Sequence, residues 1–166
     1  MVVILGNGVA GNTAASTIRH LDSRIEITLI SAETYPEYTA CALPHYLAGE
    51  FERQRLFLKS EEDYPAEGIK TIFGRTVSGI DPEKKQVLLG DESLSYDKLI
   101  MATGSRPLVP PIPGVDLEGV FSLKSPGDAD RILEGLGQTA VVVGSGPIGV
   151  ETAISLKKQG DQVYLI

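Results

Sequence analysis

Two stretches with the same spacing, one near each end, constrain this chain more than any other feature. Gly6-Asn7-Gly8-Val9-Ala10-Gly11 follows the apolar run Val2-Val3-Ile4-Leu5, and Gly144-Ser145-Gly146-Pro147-Ile148-Gly149 follows Ala140-Val141-Val142-Val143. The G-x-G-x-x-G spacing has a physical cause. The first glycine permits a tight turn off a strand, the second lets backbone N–H groups approach a pyrophosphate, and the third lets the helix pack closely on the sheet. A phosphate placed there meets free N–H groups at the positive end of the helix dipole. One copy alone equally describes an ordinary glycine-rich turn. Two copies, each behind a strand-like run and each opening a helix-like run, imply two nucleotide cofactors and suggest electron transfer between them.

Bulk properties narrow the class. The 166 residues are 42% hydrophobic and 22% charged, ordinary for a soluble globular protein. That length suits one compact domain, or one domain and a piece of another. A net charge of -7, without a basic cluster, argues against nucleic-acid binding. The apolar runs are too short for a membrane span, and the opening residues start a strand almost at once, so neither a span nor a signal peptide is expected. The lone cysteine forms no internal disulfide and fits a reducing cytoplasm. With two histidines beside it, a metal cage is not expected.

The patterning predicts a strand over residues 2–5, a helix over 9–20 with Ala10, Ala14, Ile18 and Leu21 as its apolar stripe, and a strand over 25–30, together a βαβ unit. Pro44 suits the first turn of a short helix ending near Gly49, and Ser60 is the candidate cap of a helix at 60–64. A third strand is expected over 69–73. Runs at 76–81, 86–89 and 93–95, split by Asp81-Pro82 and Gly90-Asp91, predict a small antiparallel meander. A buried strand over 99–102 ends at Thr103-Gly104. Pro107, Pro110, Pro111 and Pro113 predict a stiff connection, and Ser125-Pro126-Gly127-Asp128 opens a helix to about Gly135. The second βαβ then runs through a strand at 140–143, a helix at 147–159 and a strand at 162–166. The fold class is therefore α/β: a Rossmann-like domain over 1–110, with a parallel sheet and a small meander, then a linker and the start of a second Rossmann-like domain over 111–166. A Rossmann sheet needs more strands than the second unit offers, so the C-terminus is expected to be a cut.

Four features in this order, Gly6–Gly11, Tyr38-Thr39-Ala40-Cys41-Ala42-Leu43-Pro44-His45-Tyr46, Ala102-Thr103-Gly104, and Gly144–Gly149 followed by Glu151, resemble the FAD-dependent pyridine nucleotide–disulfide oxidoreductases. Within that family the likeness is to the branch of NADH oxidases, coenzyme A disulfide reductases, rubredoxin reductases and nitrite reductase large subunits. The resemblance implies FAD in the first unit and NAD(P)H in the second. It implies a homodimeric parent enzyme that passes electrons from NAD(P)H through flavin to oxygen, a disulfide or a small redox protein. It also implies that the truncated chain itself has little or no turnover.

The resemblance assigns residues as well. Gly6, Gly8, Val9, Ala10 and Gly11 would line the FAD pyrophosphate, and Ala102, Thr103 and Gly104 would run along the cofactor. Val77 would meet the adenine through its backbone. An acid about 20 residues after the glycines holds the ribose hydroxyls in such folds; Ser31 stands in the first such position, so Glu33 is the candidate. Gly144, Gly146 and Gly149 would take the NAD(P)H pyrophosphate, with Glu151 near the nicotinamide. Cys41 matches the family's single redox cysteine, and a cysteine before a helix start is activated as a thiolate; a small buried hydrophobe is the alternative. Tyr46 stands where a dithiol enzyme carries its second cysteine, Val9 where the peroxidases carry histidine, and Ala40 where coenzyme A disulfide reductases commonly carry asparagine. The rivals are a same-family electron-transfer reductase with an inert Cys41, and a nucleotide-binding domain without turnover.

Overall fold

The computed structural model describes all residues, 1–166. The chain divides into two compact units, Met1–Tyr38 with Phe57–Ser105, and Thr39–Leu56 with Arg106–Ile166.

The first unit is built on a four-stranded parallel sheet. Strand β1 (Val2–Leu5) leads through helix α1 (Val9–Leu21) to β2 (Ile27–Ile30). The short helix α3 (Asp63–Ala66) precedes β3 (Ile69–Ile72), and β7 (Lys98–Met101) completes the sheet order β3-β2-β1-β7. Every residue of β1 and β2 is buried, because both faces of the sheet are covered. The side chains alternate as a strand demands. Ile4, Leu29 and Ile69 pack with Ala15 and Tyr64 on the helix side, while Val3, Leu5 and Ile30 pack with Val87 and Leu89 on the other. That second layer is the antiparallel meander β4 (Gly79–Asp81), β5 (Gln86–Leu89) and β6 (Glu92–Ser95), whose hairpin turns at Gly90 with φ +72°.

In the second unit, a 3-10 turn at Ala40–Ala42 enters helix α2 (Leu43–Leu47), with Pro44 in its first turn. After the proline-rich stretch, where Leu108 is exposed, come α4 (Pro126–Glu134), β8 (Thr139–Val142), α5 (Pro147–Lys158) and β9 (Gln162–Leu165). β8 and β9 pair in parallel as a two-stranded sheet. Ser125 and Asp128 form a capping box at the start of α4, each side chain bonding the other's backbone N–H. The segment Thr39–Leu56 is fastened to this unit by polar contacts. The Tyr46 hydroxyl and the Arg53 guanidinium both donate to Asp130, Lys158 donates to Glu50 at 2.7 Å, and Gln159 donates to the Leu47 carbonyl at 3.0 Å.

Several local expectations change. The strand expected to be buried over 99–102 is β7, an edge strand at Lys98–Met101 with no buried residue and Met101 exposed, because only β1 covers its flank. Ser60 does not cap α3: the N-cap is Glu62, and Ser60 instead donates its N–H and hydroxyl to the Asp63 carboxylate. Only the carboxylate half of a capping box is present here, and α3 is a single turn of four residues. The buried stripe of α1 is also rotated. Gly11, Asn12 and Ala15 are buried and Ala14 and Ile18 flank them, while Ala10 and Leu21 are exposed, because Gly11 must face the sheet to pack on Gly6. Finally, β2 begins at Ile27 and β4 at Gly79, later than the patterning predicts.

Candidate dinucleotide sites

The first fingerprint lies where β1 meets α1. Gly6 has φ +108°, and a Cβ on it would stand 2.1 Å from the Ala102 carbonyl oxygen. A Cβ on Gly11 would stand 2.0 Å from the Gly6 carbonyl oxygen. These two glycines are required by close backbone packing, so the turn and the helix seat are fixed by contact rather than by preference. Gly8 is different: it is the N-cap of α1, in an extended conformation, with open space where a side chain would be. No side chain caps the helix and its first turn holds no acid, so the N-terminal N–H groups are left for an anion. Val9 and Ala10 are exposed on that turn.

Neighbouring strands bring the other expected residues to this end of the sheet. The Gly6 N–H donates to the Ile30 carbonyl at 2.8 Å and the Ala102 N–H to the Leu5 carbonyl at 2.7 Å. Ala102, Thr103 and Gly104 thus leave β7 beside the Gly6 turn, with Gly104 at φ +67°. Glu33 follows β2. Its N–H donates to the Ser31 hydroxyl at 3.1 Å, its carbonyl accepts from Gly74, and its carboxylate accepts from the Tyr38 hydroxyl at 3.1 and 3.2 Å. It is a half-buried, oriented carboxylate. Val77 packs its side chain against the meander-side core.

A group beneath the loop lies outside what the patterning predicts. Asn7, between the first two glycines, is buried, and so is Asn12. The Asn12 amide donates to the Asn7 carbonyl and side-chain oxygens at 2.9 Å each, and the Asn7 amide donates to the Tyr35 carbonyl at 2.9 Å. The fully buried Tyr64 hydroxyl donates to Asn7 Oδ1 at 2.9 Å and accepts from the Glu37 N–H at 2.8 Å. The remaining Asn12 Oδ1 is buried without a partner. Burial pushes the Glu37 carboxyl above its ordinary pKa, partly offset by the Lys59 charge and reinforced by Glu67. The sequence signal for this group is two asparagines five residues apart flanking the glycines, which the second copy replaces with Ser145 and Val150.

The second fingerprint repeats the loop. Gly144 has φ +108°, a Cβ on Gly149 would stand 1.9 Å from the Gly144 carbonyl oxygen, and Gly146 is the open N-cap of α5. Pro147 holds the first helical position and has no N–H to offer. Glu151 is exposed on α5. Cys41 is a free, exposed cysteine inside the 3-10 turn that leads into α2. Nearby in the same unit His45 Nδ1 lies 2.8 Å from a Glu50 carboxylate oxygen; Lys158 and His45 hold the Glu50 carboxyl below its ordinary pKa. No group of three or more His, Cys, Asp or Glu is placed to hold a metal ion, and no helix is long and apolar enough to cross a membrane.

At both fingerprints an open glycine N-cap on a helix without a side-chain cap, beside a glycine-packed turn, fits a dinucleotide pyrophosphate. The profile of the pyridine nucleotide-disulphide oxidoreductases matches residues 1–166. The chain belongs to this family. Among the family's members, an NADH oxidase of Methanocaldococcus jannaschii is 34% identical over 99% of this chain and 39% of its own length. A NAD-dependent persulfide reductase from A. fulgidus superposes with a TM-score of 0.93 at 35% identity, covering 99% of this chain and 33% of that one. A water-forming NADH oxidase from Lactobacillus brevis, solved with NADH bound, gives 0.92 at 31% identity over 99% of this chain and 38% of its own. The chain thus spans well under half the length of these relatives.

Proposed function

We propose that the protein containing this chain is an FAD-dependent NAD(P)H oxidoreductase, with residues 1–110 holding FAD and residues 111–166 opening the NAD(P)H-binding part. The observation that carries this reading is the pair of open glycine N-caps, Gly8 and Gly146, on two separate helices of a chain in this family. Gly6, Gly8 and Gly11, with the N–H groups of Val9 and Ala10, hold one pyrophosphate; Glu33, oriented by Tyr38, holds the adenosine ribose. Ala102, Thr103 and Gly104 supply backbone along the same cofactor, and Val77 backbone to its adenine. Gly144, Gly146 and Gly149 hold the second pyrophosphate, and Glu151 lies toward the nicotinamide. Bound flavin supplies the chemistry of taking two electrons from the nicotinamide and releasing them to an acceptor.

The acceptor is oxygen, a disulfide or a small redox protein, and the parent enzyme is a cytoplasmic homodimer. Cys41 is exposed, which supports direct thiol attack on a disulfide substrate. The test is anaerobic addition of NADH or NADPH to the purified full-length protein. Bleaching of a flavin absorption band is expected, and an unchanged band would favour a nucleotide-binding protein without turnover. Cys41→Ser then separates the acceptors. Lost disulfide reduction with retained dye reduction supports the thiol route, and no change in either supports an electron-transfer reductase with an inert Cys41.

A further inference from the structure

We propose that Tyr64, acting through Asn7, is a positioning residue for the dinucleotide at the first fingerprint. The inference deepens the functional reading above and rests on it. Tyr64 has no exposed surface, and its ring packs edge-on against Phe73 at 5.4 Å in the helix-side core. A phenylalanine would fill that volume equally well, so packing does not explain the hydroxyl. What explains it is a pair of hydrogen bonds, one accepted from the Glu37 N–H and one given to Asn7 Oδ1.

Asn7 is the residue between the two glycines that make the turn and receive the pyrophosphate. Its side chain is held by three groups: the Tyr64 hydroxyl, the Asn12 amide and the Tyr35 carbonyl. The Asn12 amide also lies 3.2 Å from the Gly8 carbonyl, so both peptides of the turn are tied from beneath. Tyr35 and Glu37 flank Pro36 on the segment that begins with Glu33 and ends with Tyr38. One buried hydroxyl therefore links the phosphate loop to the segment carrying the ribose acid. Every polar atom of the Asn7 side chain and the Tyr64 hydroxyl has a partner in this buried network, and holding the loop in place before binding lowers the ordering cost of the ligand. The second fingerprint has Ser145 and Val150 at the matching positions, and Val150 is exposed, so the device belongs to the first site alone.

The test uses the full-length protein stripped of flavin. FAD binding is followed by quenching of flavin fluorescence, and NADH binding is measured on the same samples. Tyr64→Phe is expected to weaken FAD about tenfold, the scale of one buried group left unpaired. Asn7→Ser, the residue of the second copy, is expected to weaken it at least as much. The double variant should bind FAD within about twofold of Asn7→Ser, because coupled residues are not additive. NADH affinity should be unchanged throughout. Wild-type FAD affinity in Tyr64→Phe overturns the proposal, as does full additivity in the double variant or an equal loss of NADH binding. A wild-type protein that takes up no FAD defeats the functional reading, and this inference with it; wild-type uptake with an unaffected Tyr64→Phe defeats the inference alone.

Discussion

The two fingerprints make the same turn in very different surroundings. Gly6 and Gly144 share φ +108°. Gly11 and Gly149 are each seated too closely for any side chain, since a Cβ would stand 2.0 and 1.9 Å from the carbonyl oxygen of the first glycine. Yet Gly6 is pressed against the Ala102 backbone of a neighbouring strand, whereas a Cβ on Gly144 would meet nothing within 4 Å. β1 is buried along its whole length between β2 and β7, while Val141 in β8 is 58% exposed. The loop beneath the first site is braced by Asn7, Asn12 and Tyr64; the second has no counterpart. The same strand-glycine-helix turn thus forms in both surroundings. Rigidity comes from elsewhere in the chain, from β7, α3 and the 31–38 segment.

The largest expected difference between the two turns comes from adding one methyl to each first glycine. Gly6→Ala drives a Cβ into the Ala102 carbonyl and strains the backbone, and is expected to cost about 3–5 kcal/mol in chemical denaturation. Gly144→Ala meets only the backbone strain and should cost about 1–2 kcal/mol in this chain. Equal losses would mean that the second turn is as tightly held as the first. Next in size is the strand interior. In this 166-residue chain Leu29→Ala removes a fully buried side chain and is expected to cost about 2–4 kcal/mol, against about 0.5 or less for Val141→Ala.

The smallest effect is a pH dependence at the braced site. Because burial raises the Glu37 pKa in the folded chain, the native state holds that proton more tightly than the unfolded state does. Stability from this group is therefore fully present below the ordinary carboxylate value and is lost as pH rises through the raised one. Glu37→Gln should raise the melting temperature by about 1–3 °C at pH 7 and leave it unchanged near pH 4. A gain that is the same at both pH values would place its cause outside the titration.

The difference between the units also separates what the residues encode locally from what they do not. Glycine spacing, the apolar runs of β1 and β2, the Gly90 turn and the Ser125–Asp128 cap are local, and each is legible in the sequence. The α1 face is not, because Ala10 and Leu21 fit a helical period while the buried face is set by the seat of Gly11 on Gly6 across the turn. Ser60 resembles a cap, but the helix begins two residues later, with Glu62 as N-cap, and Ser60 only donates to the Asp63 carboxylate. Distance from the glycines points to Ser31, and Glu33 is the acid two residues on; its orientation by Tyr38 depends on how the following loop folds back. The Tyr64–Asn7 link joins residues 57 apart in sequence, and no periodicity encodes such a contact. The attachment of Thr39–Leu56 to α4 and α5, through Asp130 and Lys158, is hidden for the same reason.

If the two fingerprints hold two different dinucleotides, each can be blocked separately without disturbing its fold. Gly8 and Gly146 have extended backbones and open space, and aspartate is a favoured N-cap, so Gly8→Asp and Gly146→Asp should fold while setting a carboxylate where a pyrophosphate would lie. The measurement is FAD and NADH binding by each variant of the full-length protein. Gly8→Asp is expected to lose FAD and keep NADH, and Gly146→Asp to lose NADH and keep FAD. Loss of both ligands in either variant, or the reverse pattern, would contradict this division of the ligands.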